Sequence, residues 1–319
     1  MHIKQLLEQS PMIATHSVPD WMIGCFKRRS ISFANGMTDV QTRVFWLQGR
    51  NLTIDLRLPK VEDQVKKTWE ACNQEQIYEL LNYEGWYADT LWENDILSWS
   101  GGTSFQIHNR WPEPAILNRV GDCMMEYSPN NTYVEDWRLK SRTKGPLVSL
   151  RLIEEINLTS GECRHRDGAL IINGDWAGLV LGRTDDIISD IKKGIQLRDL
   201  LSQKQYNSEL CQQVFKFETS VAQGDLNNGY TIAHSTQASR LETSLFCLDG
   251  FEIDKEKNEI THTFEYSHED KNEIIQRRFV IDAFEPAFQY QPTTAMTKES
   301  QHWFEEEHQT LARYLEIVN

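Results

Sequence analysis

The sequence predicts a mainly β protein made of two tandem antiparallel β-barrels, with an inserted helix in each half and a C-terminal helix. Three observations predict the barrels and helices. Runs of β-branched and aromatic residues recur at roughly ten-residue spacing with turn residues between them, the pattern of an antiparallel barrel or sandwich. From 52 to 58, Leu52, Ile54, Leu56 and Leu58 alternate without a break against Thr53, Asp55 and Arg57, the period of a strand. Both halves also follow the order strands, helix, strands, although no residue-level repeat relates them.

The first half begins with a short amphipathic lead (Ile3, Leu6, Leu7), then WMIGCFKRRSISF and VQTRVFWLQGRNLTIDLRLP on either side of an Asn-Gly turn. That dipeptide between β-rich runs signals a hairpin. Pro59 ends the alternating strand, because proline lacks the N–H a ladder needs. Val65, Trp69, Cys72, Gln76 and Leu80 then recur every three or four residues, so a surface helix is expected from Val61 to about Tyr83. Strands resume in GWYADTLWEND, ILSWS, TSFQIHNRW, NRVGDCMMEYS and NTYVEDWRLK. The polar stretch SRTKGP has the make-up of a linker, which divides the chain into an N-terminal domain, 1–143, and a C-terminal domain, 144–319.

The second half opens on three strands, LVSLRLIEEINL, GECRHRDGALIING and DWAGLVLGR. TDDIISDIKKGIQLRDLLSQ reads as an amphipathic helix capped by Thr184. LCQQVFKFETSVA, NNGYTIAHST, TSLFCLDGFEI, EITHTFEYSH and IIQRRFVIDAF read as further strands. The tail from Thr297 to Val318 closes the chain as a helix, with Trp303, Phe304, Leu311, Tyr314, Leu315 and Val318 on one stripe.

The chain has 319 residues with 33 Lys and Arg against 47 Asp and Glu, a net charge of -14. That balance argues against nucleic acid and anionic membrane as partners, since both are held largely by Lys and Arg. No apolar run approaches the ~20 residues of a membrane span and no secretion signal opens the chain, so a cytoplasmic protein is expected. The cysteines (Cys25, Cys72, Cys123, Cys163, Cys211, Cys247) are widely spaced with no C-x-x-C pair. They read as scattered reduced thiols, with three disulfides in an exported protein as the alternative.

QTRVFWLQGRNLTIDLRLP, TYVEDWRLK and IINGDWAGLVLGR resemble the fungal Hri family of two-barrel proteins, first named for interaction with a casein kinase. More loosely, they resemble bacterial proteins of unknown function with a calycin-like barrel. The shared landmarks are a strand ending Phe-Trp-Leu, a short strand closed by proline and a later Gly-x-Trp strand, over about a third of the chain. The resemblance implies two tandem calycin-like, that is lipocalin-like, antiparallel β-barrels and transfers no catalytic residue. The long helix of the first half and the C-terminal helix depart from the fungal pattern.

Phosphate-binding glycine motifs and the nucleophile-elbow motif are absent from the sequence. No metal site and no cofactor are expected; Cys163, His165, Glu265 and His268 are the nearest to a ligand set and lie beside charged turns. Ligand-binding candidates cluster in the first half. If the leucines of 52–58 pack outward, Asp55 and Arg57 point into the barrel, with Arg43 as a further cation and Trp46, Trp86, Trp92 or Tyr127 as apolar walls. The commoner arrangement is the reverse, with leucines filling the barrel and the charges in solvent. His108, with Asp122 and Glu126, forms the candidate acid-base set, as a histidine beside a carboxylate is tuned for proton transfer.

A barrel of about eight strands can hold one small ligand. The expected function is therefore binding of a small hydrophobic, amphiphilic or carboxylate-bearing molecule. A cofactor-independent isomerase, hydratase or cyclase working in the lumen is one alternative. A protein interaction module that docks partners through its acidic surface and C-terminal helix is another.

Overall fold

A computed structural model describes residues 1–14, 17–107, 114–184, 196–203, 208–268 and 271–313. After the short helix α1 (Ile3–Gln9), the first half forms β1 (Gly24–Phe33), β2 (Thr38–Asp39), β3 (Arg43–Gln48), β4 (Leu52–Leu58), β5 (Glu84–Glu93), β6 (Ile96–Ser100), β7 (Ala115–Val120), β8 (Cys123–Tyr127) and β9 (Tyr133–Leu139). Strand β1 pairs along one edge with β3, from Gly24 opposite Gln48 to Lys27 opposite Phe45, and with β2 near its end. Its other edge pairs with β9, from Phe26 opposite Leu139 to Phe33 opposite Tyr133. The ring β1-β3-β4-β5-β6-β7-β8-β9 therefore closes into an eight-stranded antiparallel barrel.

The second half forms β10 (Gly145–Asn157), β11 (Cys163–Asn173), β12 (Trp176–Leu181), β13 (Glu218–Asp225), β14 (Gly229–Ser235), β15 (Phe251–Asp254), β16 (Glu259–His268) and β17 (Lys271–Phe288). They make one antiparallel sheet in the order β14-β13-β12-β11-β10-β17-β16-β15. The expected second barrel does not appear: among the described residues no strand pairing joins β14 to β15. The free edge of β14 is instead taken by an irregular segment, with Ile232 N–H donating to the Thr243 carbonyl at 2.9 Å and Leu245 N–H to that of Tyr230 at 2.8 Å. Helix α1 packs into this sheet's core. Ile3, Leu6 and Leu7 are buried with Val148, Leu150, Phe251 and Phe284, and Ile3 N–H donates to the Leu248 carbonyl at 2.8 Å. Strand β9 ends at Leu139 and β10 begins at Gly145, and the segment around α1 packs with the second sheet.

The two halves share a core. Leu52, Ile54, Leu56 and Leu58 of β4 face away from the barrel axis and pack with Ala169, Ile171, Val180 and Val221 of the second sheet. The approach is close at Gly85, where an added Cβ would stand 2.5 Å from the Thr219 hydroxyl oxygen. A separate cluster, including Phe26, Val44, Trp46, Met124 and Trp137, fills part of the barrel interior.

Helices differ from expectation in ways their sequences explain. From 61 to 83 only α2 (Gln74–Leu80) is α-helical, preceded by single 3-10 turns at Val61–Asp63 and Trp69–Ala71. Asn73 starts α2 through a capping box, its side chain accepting from Gln76 N–H while the Gln76 side chain accepts from Asn73 N–H. The expected strand LCQQVFKFETSVA divides into α4 (Ser208–Phe215) and β13, since Cys211, Val214 and Phe215 sit at helical spacing and bury one face. Of the expected helix after Thr184, residues 185–195 lie outside the described residues and α3 (Leu197–Gln203) is its last part. The C-terminal helix is α5 (Lys298–Leu311), capped by Thr297. No residue of α5 is buried, and Trp303 and Phe304 are exposed; Tyr314, Leu315 and Val318 lie outside the described residues. No described helix is long and apolar enough to cross a membrane. All six cysteines are free.

Because β4 joins both halves, Leu56→Ala is expected to lower unfolding stability by about 2–5 kcal/mol, the usual cost of a buried leucine. Urea melts followed by tryptophan fluorescence and by far-UV circular dichroism should shift together. A shift in the fluorescence transition alone would mean that the halves unfold independently.

Candidate functional site

The outward packing of the β4 leucines sends Thr53, Asp55 and Arg57 into the barrel, as period two requires. Asp55 is 3% exposed, and Arg57 Nε donates to its Oδ1 at 2.8 Å. From β9, Tyr133, Glu135 and Trp137 point the same way, and Glu126 meets them from β8. Tyr133 hydroxyl donates to Glu126 Oε1 at 3.1 Å and Trp137 Nε1 to Oε2 at 3.0 Å. Glu135 accepts from Arg28 Nη1 at 2.8 Å, while Arg28 Nη2 reaches Asp39 at 2.7 Å.

Tryptophans form the remaining wall. Trp46 meets Trp137 edge to face with ring centres 5.4 Å apart and Trp99 at 6.2 Å, and Trp99 meets Trp86 at 6.3 Å. Trp46 Nε1 donates to Gln48, and Gln48, Thr53 and Thr90 are hydrogen-bonded together beyond it. The indole N–H groups of Trp86 and Trp99 are buried and have no partner among the described residues. Such a donor costs about 1–3 kcal/mol while it stays unmet.

Between these side chains lies a cavity of about 20 Å³, room for one water-sized group. Arg57 also lines a larger vestibule of about 400 Å³, walled by Ile31, Phe33, Leu58 and Pro59 with Arg28, Asp39, Glu79 and Glu84. Arg57 thus stands on the boundary between cavity and vestibule, and Arg28 spans it through its bonds to Glu135 and Asp39.

Burial shapes the acidities. Loss of solvent raises Glu126 to about 8, and the nearby Glu135 adds to the rise against the opposing Tyr133 and Trp137 hydrogen bonds and Arg57. Burial also raises Asp55 to about 6 although Arg57 opposes it.

Of the residues singled out in the sequence, Trp46, Asp55, Arg57, Trp86 and Glu126 line the one cavity. Arg43 does not: it shares the outer face of β3 with Phe45, near Lys27 and His234. Trp92 packs edge to face on Trp21 at 5.8 Å, and Tyr127 is exposed on the outer face of β8. Asp122 lies before β8 and pairs with Arg138 and Arg142. His108 lies outside the described residues. Thr53, Trp99, Tyr133, Glu135 and Trp137 also line the cavity, with Arg28 bonded to Glu135, beyond the candidates the sequence suggests. The alternation of Tyr133, Glu135 and Trp137 was a visible sign of one shared face.

His165 of the second sheet hydrogen-bonds the Gly182 carbonyl at 3.1 Å, and no group of three or more metal-type ligands occurs among the described residues. Comparisons with protein-family models, curated proteins and solved structures find no match to this chain.

The raised pKa of Glu126 fixes a pH dependence of stability. Across the interval from 4.5 to about 8 the folded chain keeps a proton that the unfolded chain has released, so stability falls as pH rises through it. Asp55 adds a loss of the same sign between 3.8 and about 6. Glu126→Gln should flatten the upper part of this decline in urea denaturation at the two ends of the interval. An unchanged slope would show that Glu126 is ionised throughout.

Proposed function

We propose that this protein binds a small molecule in its closed barrel, with the ligand entering from the vestibule past Arg28 and Arg57. The observation that carries this reading is the pair of unpartnered indole N–H groups, Trp86 and Trp99, buried beside a polar cavity that adjoins a larger opening. Interiors rarely leave buried donors unmet, and a ligand's oxygen or an ordered water supplies the missing acceptor. The cavity is too small for an apolar body, so the body of the ligand belongs in the vestibule and only a polar head enters the barrel. The closed eight-stranded ring supports the calycin-like reading of the first half.

A second reading is favoured by Glu126 and Asp55. Two carboxylates in one cavity with pKa values raised to about 8 and about 6 are suited to act as general acid and general base, as in a cofactor-independent isomerase or hydratase.

Native mass spectrometry of protein purified from its own host, followed by denaturing extraction, should release a stoichiometric small molecule. Trp99→Phe is expected to fold with unchanged or slightly higher stability, because it deletes an unmet donor, and to retain less of that molecule. A clean unliganded mass under gentle conditions, with no change in tryptophan emission across a metabolite library, would refute the binding reading.

A further inference from the structure

Outside the barrel, one group of basic side chains is gathered without acids. Lys27 of β1 stands opposite Phe45 of β3 across the ladder, and Arg43 lies two residues before Phe45 on the same outer face. From the second sheet, the His234 ring of β14 stacks on the Phe45 ring with centres 4.4 Å apart. Lys27 Nζ lies 5.9 Å from the same ring centre. Three strands drawn from both halves thus bring Lys27, Arg43 and His234 around one phenylalanine, and the arrangement exists only while the halves are packed together.

None of the three forms an ion pair with a described residue, and the buried Nε of Arg43 has no hydrogen-bond partner among them. Their charged neighbours are one another. Burial, then Arg43 and Lys140, lower the pKa of Lys27; burial, then Arg43 and Lys27, push His234 down to about 4. Lys140 has Asp175 nearby. A chain with 47 acidic residues against 33 basic ones has ample acids to pair with surface cations, yet these face like charge, which raises the free energy of the unliganded fold. A bound anion removes that cost.

We propose that Lys27, Arg43 and His234 form a second ligand site, independent of the barrel cavity, that binds the phosphate group of a small phosphate monoester. Lys and Arg hold oxyanions through charge-assisted hydrogen bonds, and neutral His234 keeps one N–H to donate. Donors on three strands suit the three terminal oxygens of a monoester, whereas a carboxylate has two. Phe45 is 1% exposed and Trp176, stacked on it, 5%. They brace the basic groups and offer no open face to an organic body, which stays in solvent.

Thermal unfolding near neutral pH in glycerol phosphate, inorganic phosphate, succinate or sodium chloride, at matched ionic strength, tests this. Glycerol phosphate should raise the midpoint above its chloride value in a saturable way, and succinate should not. Phosphates also stabilise folded proteins by exclusion from their surfaces, so the variants decide. Arg43→Gln and Lys27→Met should each raise the concentration for half-maximal effect about tenfold. In chloride both should unfold at an unchanged or higher temperature, because each removes like-charge repulsion. His234→Phe, which keeps the ring stack and loses the N–H, should weaken the effect less.

An effect of glycerol phosphate equal in the parent chain and both charge variants, or none beyond chloride, overturns the site. Succinate acting at lower concentration than either phosphate overturns the phosphate assignment, and inorganic phosphate acting at lower concentration than glycerol phosphate overturns the monoester. Each of these outcomes leaves the barrel reading standing, since none of the three residues lines the barrel cavity.

Discussion

Strand β4 is buried on both faces, and the character of the barrel depends on which neighbour each face meets. Its aliphatic row packs against the second sheet, where Ala169, Ile171 and Val180 complete one apolar core. With that row committed outward, Thr53, Asp55 and Arg57 have nowhere to go but the barrel axis, because successive side chains of a strand point to opposite faces. An isolated first half would expose four large aliphatic side chains to water. The second sheet is therefore what makes a polar lumen compatible with a stable fold.

A charged interior demands pairing. Moving a carboxylate out of water costs several kcal/mol unless hydrogen bonds and opposite charge replace the lost solvent. The barrel arranges this for Asp55 with Arg57 and for Glu135 with Arg28. Glu126 is satisfied another way, by neutral donors and a raised pKa that keeps its proton in place. The edge-to-face tryptophans supply bulk around these groups and keep the remaining space small, so the polar groups stay largely dry.

Much of the architecture was legible in the sequence, and the reasons for the rest are physical. The hairpin at Asn35-Gly36, the strand ended by Pro59 and the strands around Trp137 and Trp176 follow from turn chemistry and period two. Closure of a sheet is a long-range property, and nothing local in residues 229–254 indicates that β14 would pair with an irregular segment rather than with β15. The split of 208–225 into helix and strand was readable from the spacing of Cys211, Val214 and Phe215 but was outweighed by their β-forming neighbours. At the site, alternation shows that Arg43 and Trp46 lie on opposite faces of β3, so the two could not both line one lumen. It could not show which face was inside, because that depends on the leucines finding a partner more than a hundred residues downstream.

The placement of α1 bears on how the chain emerges from the ribosome. Met1 and Ile3 are made well before their partners, Phe251 and Leu248, and Met12 well before Phe284. This segment must therefore wait, with its apolar side chains unprotected, until the residues around Leu248, Phe251 and Phe284 have been translated. Such late closure exposes sticky surface during synthesis and gives nascent-chain chaperones a reason to hold this segment until its partners arrive.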